Sequence, residues 1–114
     1  MDKDDVLRKG WLFKQSRYLK KWKRRFTVLT KTHLATYESE DTSGSPTEVL
    51  LIKRCNAVRS AEDETLKPNS FRVEHEGVAY FFYADTLAEK DGWVNFLSKV
   101  SSEDHGRADH EEVC

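Results

Sequence analysis

Two short stretches near the start of the chain alternate apolar and polar side chains and are rich in aromatic residues. The first is Lys9–Gln15, in which Trp11 and Phe13 lie two positions apart, and the second is Lys23–Leu29. Short segments of this composition are typical of β-strands. Because only Ser16–Trp22 links them, we predict that the two strands form an antiparallel hairpin.

Five more segments of similar length and composition follow, separated by polar stretches. We predict strands at His33–Glu38, Val49–Lys53, Ala57–Arg59, Ser70–Glu74 and Ala79–Ala84. The intervening residues 40–46 and 61–68 are polar and are predicted to be loops, and Gly77 supplies the turn before the last strand.

The hydrophobic period then changes from two to that of a helix. Thr86 and Glu89 are spaced as a capping box, the signature of a helix N-terminus. Apolar residues follow at helical spacing, namely Leu87, Trp93, Phe96, Leu97 and Val100. We therefore predict an amphipathic helix over Leu87–Ser101.

Both ends of the chain are polar and charged. We predict a flexible N-terminus over residues 1–7, one folded domain over residues 8–102 and a disordered acidic tail over residues 103–114. Within the domain, strands followed by a single helix indicate a mainly β fold, a sheet or open barrel whose one end the helix covers.

Charge is distributed unevenly along this chain of 114 residues, although its net charge is only −1. Between Val6 and Tyr37 there are ten basic residues and no acidic one. A domain polarised in this way can orient itself toward an anionic surface.

Several function classes are not indicated. No apolar run reaches the roughly 20 residues that span a bilayer, and no secretory signal is recognisable. Cys55 and Cys114 are predicted to be free thiols in a reducing cytosol. The histidines lack metal-ligand spacing, and no nucleophile–base set can be read, so we expect no metal, no cofactor and no enzymatic activity.

Three segments together resemble a known family. The first two are Lys9-Gly10-Trp11-Leu12-Phe13-Lys14 and Tyr18-Leu19-Lys20-Lys21-Trp22-Lys23-Arg24-Arg25-Phe26, and the third is the helix with Trp93. They resemble the opening strands and the helix tryptophan of a pleckstrin homology (PH) domain, over about Arg8–Ser101. The closest likeness is to small plant-type PH proteins and to the PH domain of the Akt kinases. This resemblance implies a seven-stranded bent antiparallel barrel or sandwich, capped at one end by the C-terminal α-helix and open to ligand at the other. Thr27 departs from the pattern, because the family usually has a large aromatic residue there.

The basic hairpin is the candidate site. On a strand, residues two apart face the same way, so Lys23 and Arg25 share a face and Arg24 points opposite. The antiparallel pairing brings Lys14 beside them. In the family, a lysine ending the first strand and a basic-x-Arg pattern on the second mark domains that bind 3-phosphorylated lipids.

Other residues of the hairpin complete the predicted site. The phosphoinositide-binding set is Lys14, Arg17, Lys20, Lys21, Lys23 and Arg25. Tyr18 and Leu19 are predicted to touch the membrane from the loop tip, since amphipathic and apolar side chains favour that zone. Arg17 occupies a position where Akt-type domains carry an acid. Without a repelling acid we expect binding to several phosphoinositides rather than to one.

These patterns predict a monomeric, non-enzymatic module that binds phosphoinositide lipids in anionic membranes. We expect it to be cytoplasmic and peripherally membrane-associated, with no nucleic-acid ligand. Two alternatives stay open for the basic run, namely a merely solvated face and a nuclear-localisation or nucleic-acid patch. A third alternative is a protein-interaction adaptor on the same fold that uses the Val49–Arg54 strand edge or the helix.

Overall fold

The computed structural model describes the backbone of residues 5–113 and the side chains of residues 5–103. Seven strands precede one long helix over that range, which confirms the predicted mainly β fold. The strands are β1 (Arg8–Gln15), β2 (Trp22–Leu29), β3 (His33–Tyr37), β4 (Glu48–Leu51), β5 (Cys55–Ser60), β6 (Ser70–His75) and β7 (Val78–Tyr83). The helices are the single-turn α1 (Glu62–Thr65) and α2 (Leu87–Val113), and a 3-10 turn occupies Ile52–Arg54.

All seven strands belong to one antiparallel sheet in the order β4-β3-β2-β1-β7-β6-β5. The predicted hairpin of β1 and β2 is confirmed and is paired over its full length, from Arg8 opposite Leu29 to Gln15 opposite Trp22. β1 also pairs with β7 near its C-terminal end, through Phe13 and Lys14. The hairpin therefore occupies the middle of the sheet, and its loop projects from one end.

The core is packed by large apolar side chains from the strands and α2. Trp93 and Leu97 of α2 and Phe71, Phe82 and Leu12 of the sheet are all almost completely buried. Phe71 and Phe82 stack with their ring centroids 5.4 Å apart. This packing fixes the sheet against the helix and leaves the hairpin loop at the periphery.

Thr27 lies in the core, at the position that departs from the family pattern of a large aromatic residue. Its side chain is fully buried. Its hydroxyl donates a hydrogen bond to the carbonyl oxygen of Arg25, 3.3 Å away. Because the buried hydroxyl has a partner on its own strand, the polar group is tolerated in the core.

The main local departures from the sequence predictions fall between β4 and β6. β4 ends at Leu51, and the predicted remainder of that strand, Ile52 and Lys53, forms part of the 3-10 turn. The predicted loop over residues 61–68 contains α1, which Lys90 of α2 holds through an ion pair with Glu62 at 2.5 Å. The contact between Lys90 and Glu62 joins residues far apart in the sequence and leaves no local pattern. The sequence analysis therefore predicted a loop where α1 forms.

Helix α2 is longer than predicted. It begins at Leu87 as expected, and the backbone amide of Glu89 donates to the Thr86 hydroxyl at 3.1 Å, which is one of the two bonds of a capping box. It continues to Val113 rather than ending near Ser101, so the helix includes the backbone over 103–113. The predicted disorder of the tail stays a prediction. No proline interrupts that segment, and its Glu, Ala and Arg residues are good helix formers. Cys114 and the side chains of 104–113 lie outside the described residues.

The apolar face of α2 is narrower than its sequence suggests. Trp93, Leu97 and Val100 are buried, whereas Leu87 is 59% and Phe96 is 39% exposed.

At the other end of the chain, Leu7 was predicted to be part of a flexible segment. Its amide instead donates to the carbonyl oxygen of Leu29 at 2.8 Å, and its side chain packs against the core.

Arg8 lies across α2 and explains the glycine in that helix. Its guanidinium pairs with Glu89 at 3.2 Å and lies 5.2 Å from the ring centroid of Trp93. A Cβ placed on Gly92 would come within 2.5 Å of that guanidinium. Gly92 therefore provides the space in which Arg8 covers the indole.

We expect Gly92→Ala to change the free energy of unfolding through two opposing effects, a gain in helix propensity and a loss of the Arg8 contacts. Alanine is favoured over glycine by about 1 kcal/mol inside a helix. In the wild-type background that gain is offset, since the Cβ displaces Arg8 from Glu89 and Trp93. In an Arg8→Ala background the same substitution should raise the free energy of unfolding by the full amount. Urea denaturation of the four variants measures this coupling, and an equal gain in both backgrounds would contradict it.

Candidate functional site: a cationic pocket at the end of the β1–β2 hairpin

Three basic side chains converge on one small cavity at the loop end of the hairpin. The β1–β2 register sets Lys14 opposite Lys23, and Arg25 lies two residues further along β2 on the same face. The cavity has a volume of about 100 Å³ and is lined by Lys14, Ser16, Lys23, Arg25 and Thr47. Three cations at one opening, beside the Ser16 hydroxyl, form a set of donors suited to a phosphate group.

The basic run on β2 is divided between the two faces of the sheet. Arg24 lies on the face opposite to the cavity, with its guanidinium carbon 4.1 Å from the ring centroid of Trp11. Trp11 in turn packs edge-on against Phe26 at 5.4 Å. Arg24 is thus held on an aromatic surface, and it provides an internal comparison for the cations of the pocket.

Lys14 forms an ion pair at the edge of the pocket. Its ammonium lies 2.6 Å from a carboxylate oxygen of Glu48, at the start of β4. The Lys14 side chain is 11% exposed and that of Glu48 is 26% exposed. The same ammonium lies 5.6 Å from the ring centroid of Tyr80 on β7. One of the cations that line the pocket is therefore already paired with an acid beside it.

Sequence reasoning missed Glu48, an acid that contacts Lys14, and the expected binding to several phosphoinositides stays a prediction. The window from Val6 to Tyr37 has no acidic residue, but Glu48 reaches Lys14 from another part of the chain. The curvature of the sheet brings β4 and β1 together across its end, although β3 and β2 lie between them in strand order. No sequence spacing reports such a contact.

Tyr80, whose ring lies beside the Lys14 ammonium, is affected by the charged groups on both sides of it. Its burial, followed by the negative charge of Glu48, raises the pKa of the Tyr80 phenol, whereas the Arg17 guanidinium lowers it. The guanidinium carbon of Arg17 lies 5.8 Å from the Tyr80 ring and 5.3 Å from that of Tyr18. Arg17 therefore packs on aromatic rings beside the pocket, and it is not among the described residues that line it.

The loop between β1 and β2 is closed by hydrogen bonds and exposes its tip. The Ser16 amide donates to the Lys21 carbonyl oxygen at 2.8 Å, and the Lys21 amide donates to the Ser16 hydroxyl at 3.1 Å. Tyr18 is 85% and Leu19 71% exposed at the tip. Lys20 and Lys21 are exposed on the same loop. They are not among the described residues that line the cavity.

Other chemistry is not evident in the part of the chain that the structure describes. No cluster of three potential metal ligands occurs among the described residues. No helix in the described range is long and apolar enough to cross a membrane. Cys55 is buried, and that burial raises the pKa of its thiol to about 11, so it is poorly suited to act as a nucleophile.

The fold and the chain's sequence together define the class of protein. Residues 6–102 match the PH domain family, and the chain therefore belongs to that family. Among curated relatives, pleckstrin homology domain-containing protein 1 of Arabidopsis thaliana is 34% identical over 96 residues, which cover 81% of this chain and 66% of that protein. Pleckstrin homology domain-containing family A member 6 of Homo sapiens is 31% identical over 84% of this chain, but only 9% of its own length is covered. The chain thus spans about two thirds of the first relative and a small part of the second. The predicted closeness to the Akt domain stays a prediction.

Solved structures give the same class. The C-terminal PH domain of pleckstrin, crystallised in complex with D-myo-Ins(1,2,3,5,6)P5, superposes with a TM-score of 0.75 at 27% identity, covering 85% of this chain and 96% of that one. The PH domain of Slm1 in complex with phosphoserine superposes with a TM-score of 0.74 at 22% identity, over 85% of this chain and 96% of that chain.

Proposed function

We propose that this PH domain binds the phosphorylated inositol headgroup of a phosphoinositide and thereby attaches to a membrane surface from the cytoplasmic side. The observation that carries the proposal is the convergence of Lys14, Lys23 and Arg25 on one small cavity beside an exposed loop tip. Arg25 is suited to grip a phosphate through two parallel hydrogen bonds, and the lysines act as point charges.

Two further considerations support this proposal. The pleckstrin PH domain, of similar fold, was crystallised with an inositol phosphate. PH domains are generally non-catalytic binding modules. In this proposal Lys20 and Lys21 add long-range attraction to anionic lipid, and Arg17 contributes from the side of Tyr80.

The direct test compares binding to three kinds of vesicle. One contains phosphatidylcholine alone, one adds a single phosphoinositide, and one adds enough phosphatidylserine to match the charge of the second. We expect binding to rise with the phosphoinositide well beyond the charge-matched vesicle. Equal binding to the two anionic vesicles would show that only unspecific attraction operates.

The loop tip provides a prediction that separates membrane contact from headgroup binding. Tyr18→Ser combined with Leu19→Ser removes exposed apolar surface without changing charge. Because such groups gain free energy by entering the membrane interface, we expect about tenfold weaker vesicle binding. Calorimetric titration with a soluble inositol polyphosphate should give an unchanged affinity. A parallel loss in both assays, or a loss in neither, would contradict the assignment of the tip.

A second candidate function has its own structural basis. β4 is an edge strand of the sheet, and Val49 and Leu51 on it are 42% and 36% exposed. An edge strand with exposed apolar side chains can add a strand from a partner protein. If this is the principal function, Val49→Lys should abolish partner capture while Arg25→Ala leaves it intact.

A further inference from the structure

Glu48 is an acidic side chain beside the cationic pocket, where it contacts Lys14 although it is not among the described residues that line the cavity. Its carboxylate contacts the ammonium of Lys14 at 2.6 Å, and both side chains are largely withdrawn from solvent. An anionic ligand that approaches Lys14 therefore meets a negative charge already in place.

The backbone beneath Glu48 is held firmly. The amide of Thr47 donates to the carbonyl oxygen of Thr36 at 2.6 Å, and the Thr47 hydroxyl lies 2.6 Å from the hydroxyl of Thr36. Glu48 itself pairs with Thr36 across the β3–β4 ladder. Glu48 is thus attached to an ordered part of the sheet, so its carboxylate can move away from Lys14 only by rotation of its own side chain.

The chemistry of this arrangement follows from Coulomb's law. A phosphate that binds Lys14 must share the ammonium with the carboxylate or displace the carboxylate, because one ammonium cannot fully neutralise two anions. The carboxylate then remains close to the phosphate, and two like charges at short range in a partly buried site repel strongly. The repulsion grows with the charge that the ligand places beside Lys14.

We propose that Glu48 is a competing carboxylate held beside the headgroup pocket by its ion pair with Lys14, which lowers affinity and penalises the most densely phosphorylated headgroups. This inference rests on the proposed function of the same pocket. It also supplies the repelling element through which a binding site discriminates between related ligands. Glu48 is therefore a specificity-determining residue, whereas Lys14, Lys23 and Arg25 provide the attraction.

The test is Glu48→Gln, which keeps the size of the side chain and removes its charge. We expect about tenfold tighter binding to vesicles that carry a trisphosphorylated phosphoinositide, and a smaller gain with a monophosphorylated one. Asp91→Asn is the matched control, because it removes one negative charge from an exposed position on α2. That variant should change affinity by no more than about twofold, since its charge is screened by salt.

A second background tests whether Glu48 acts at Lys14. In a Lys14→Met chain the gain from Glu48→Gln should shrink, because the ammonium that the carboxylate occupies is gone. Thermal unfolding of each variant establishes that the fold persists. An undiminished gain would assign Glu48 to general repulsion and overturn its pairing role.

The outcomes separate this inference from the proposed function. If wild type binds phosphoinositide vesicles and Glu48→Gln binds equally well or more weakly, the inference is wrong and the function stands. If wild type does not bind but Glu48→Gln does, the carboxylate blocks the pocket as inferred and the function proposed for wild type is wrong. If neither binds, both are overturned.

Discussion

Arg25→Ala is expected to weaken binding to phosphoinositide vesicles by roughly tenfold to a hundredfold, the usual consequence of losing charge-assisted hydrogen bonds to a phosphate. The guanidinium lies in the lining of the cavity together with Lys14 and Lys23. The two lysines of the pocket carry point charges, so they cannot replace the two parallel hydrogen bonds that the planar guanidinium of an arginine makes to a phosphate. Vesicle sedimentation measures the loss, and circular dichroism establishes that the variant is folded.

The neighbouring arginine offers a matched control. Arg24→Ala removes the same charge from the same strand, but Arg24 lies on the other face, stacked on Trp11 at 4.1 Å. We expect a loss of at most about fivefold, the contribution of one cation to unspecific attraction by an anionic membrane. If Arg24→Ala weakens binding as much as Arg25→Ala, charge alone matters and the pocket assignment fails.

Trp93→Ala is expected to lower the free energy of unfolding by about 3–5 kcal/mol, the range for removing a large aromatic side chain from a core. Trp93 is fully buried and lies beneath the guanidinium of Arg8. Removal of the indole leaves a cavity between α2 and the sheet. The Arg8 guanidinium also loses the aromatic ring on which it lies. Urea denaturation gives the loss directly.

Two further substitutions show which part of Trp93 matters. The indole nitrogen of Trp93 is buried and has no hydrogen-bond partner among the described residues. Trp93→Phe should therefore cost far less than Trp93→Ala, because it also removes that unpartnered N–H group. Leu87→Ala on the same helix should change stability little, since Leu87 is 59% exposed. A similar cost for Trp93→Phe and Trp93→Ala would contradict this account of the core.

The hairpin and the helix start were accessible from sequence because their signals are local. Alternating side chains and a short link define β1 and β2, and the spacing of Thr86 and Glu89 marks the start of α2. Antiparallel pairing then brings Lys14 beside Lys23 without any further information. For the same reason the three cations of the pocket were identifiable as neighbours before the structure was known.

The contacts that sequence analysis missed join residues far apart in the chain. Glu48 reaches Lys14 only because the sheet bends, and no pattern along the chain encodes that approach. The role of Gly92 depends on Arg8, which crosses α2 from the start of β1. The end of α2 was missed for a different reason. A charged segment without proline is compatible with both a disordered tail and a helix, and hydrophobic periodicity does not separate them.

The most direct test of the central claim is an NMR titration of the wild-type chain with a soluble inositol polyphosphate. We predict that the largest amide shifts occur at Lys14, Lys23 and Arg25 and at Thr47, which line one cavity. Saturation at one equivalent would indicate a single site. The claim would be contradicted if those amides did not move, or if the shifts clustered instead on the other side of the hairpin loop, around Lys67 and Tyr83, where a lysine ammonium lies 5.5 Å from an aromatic ring.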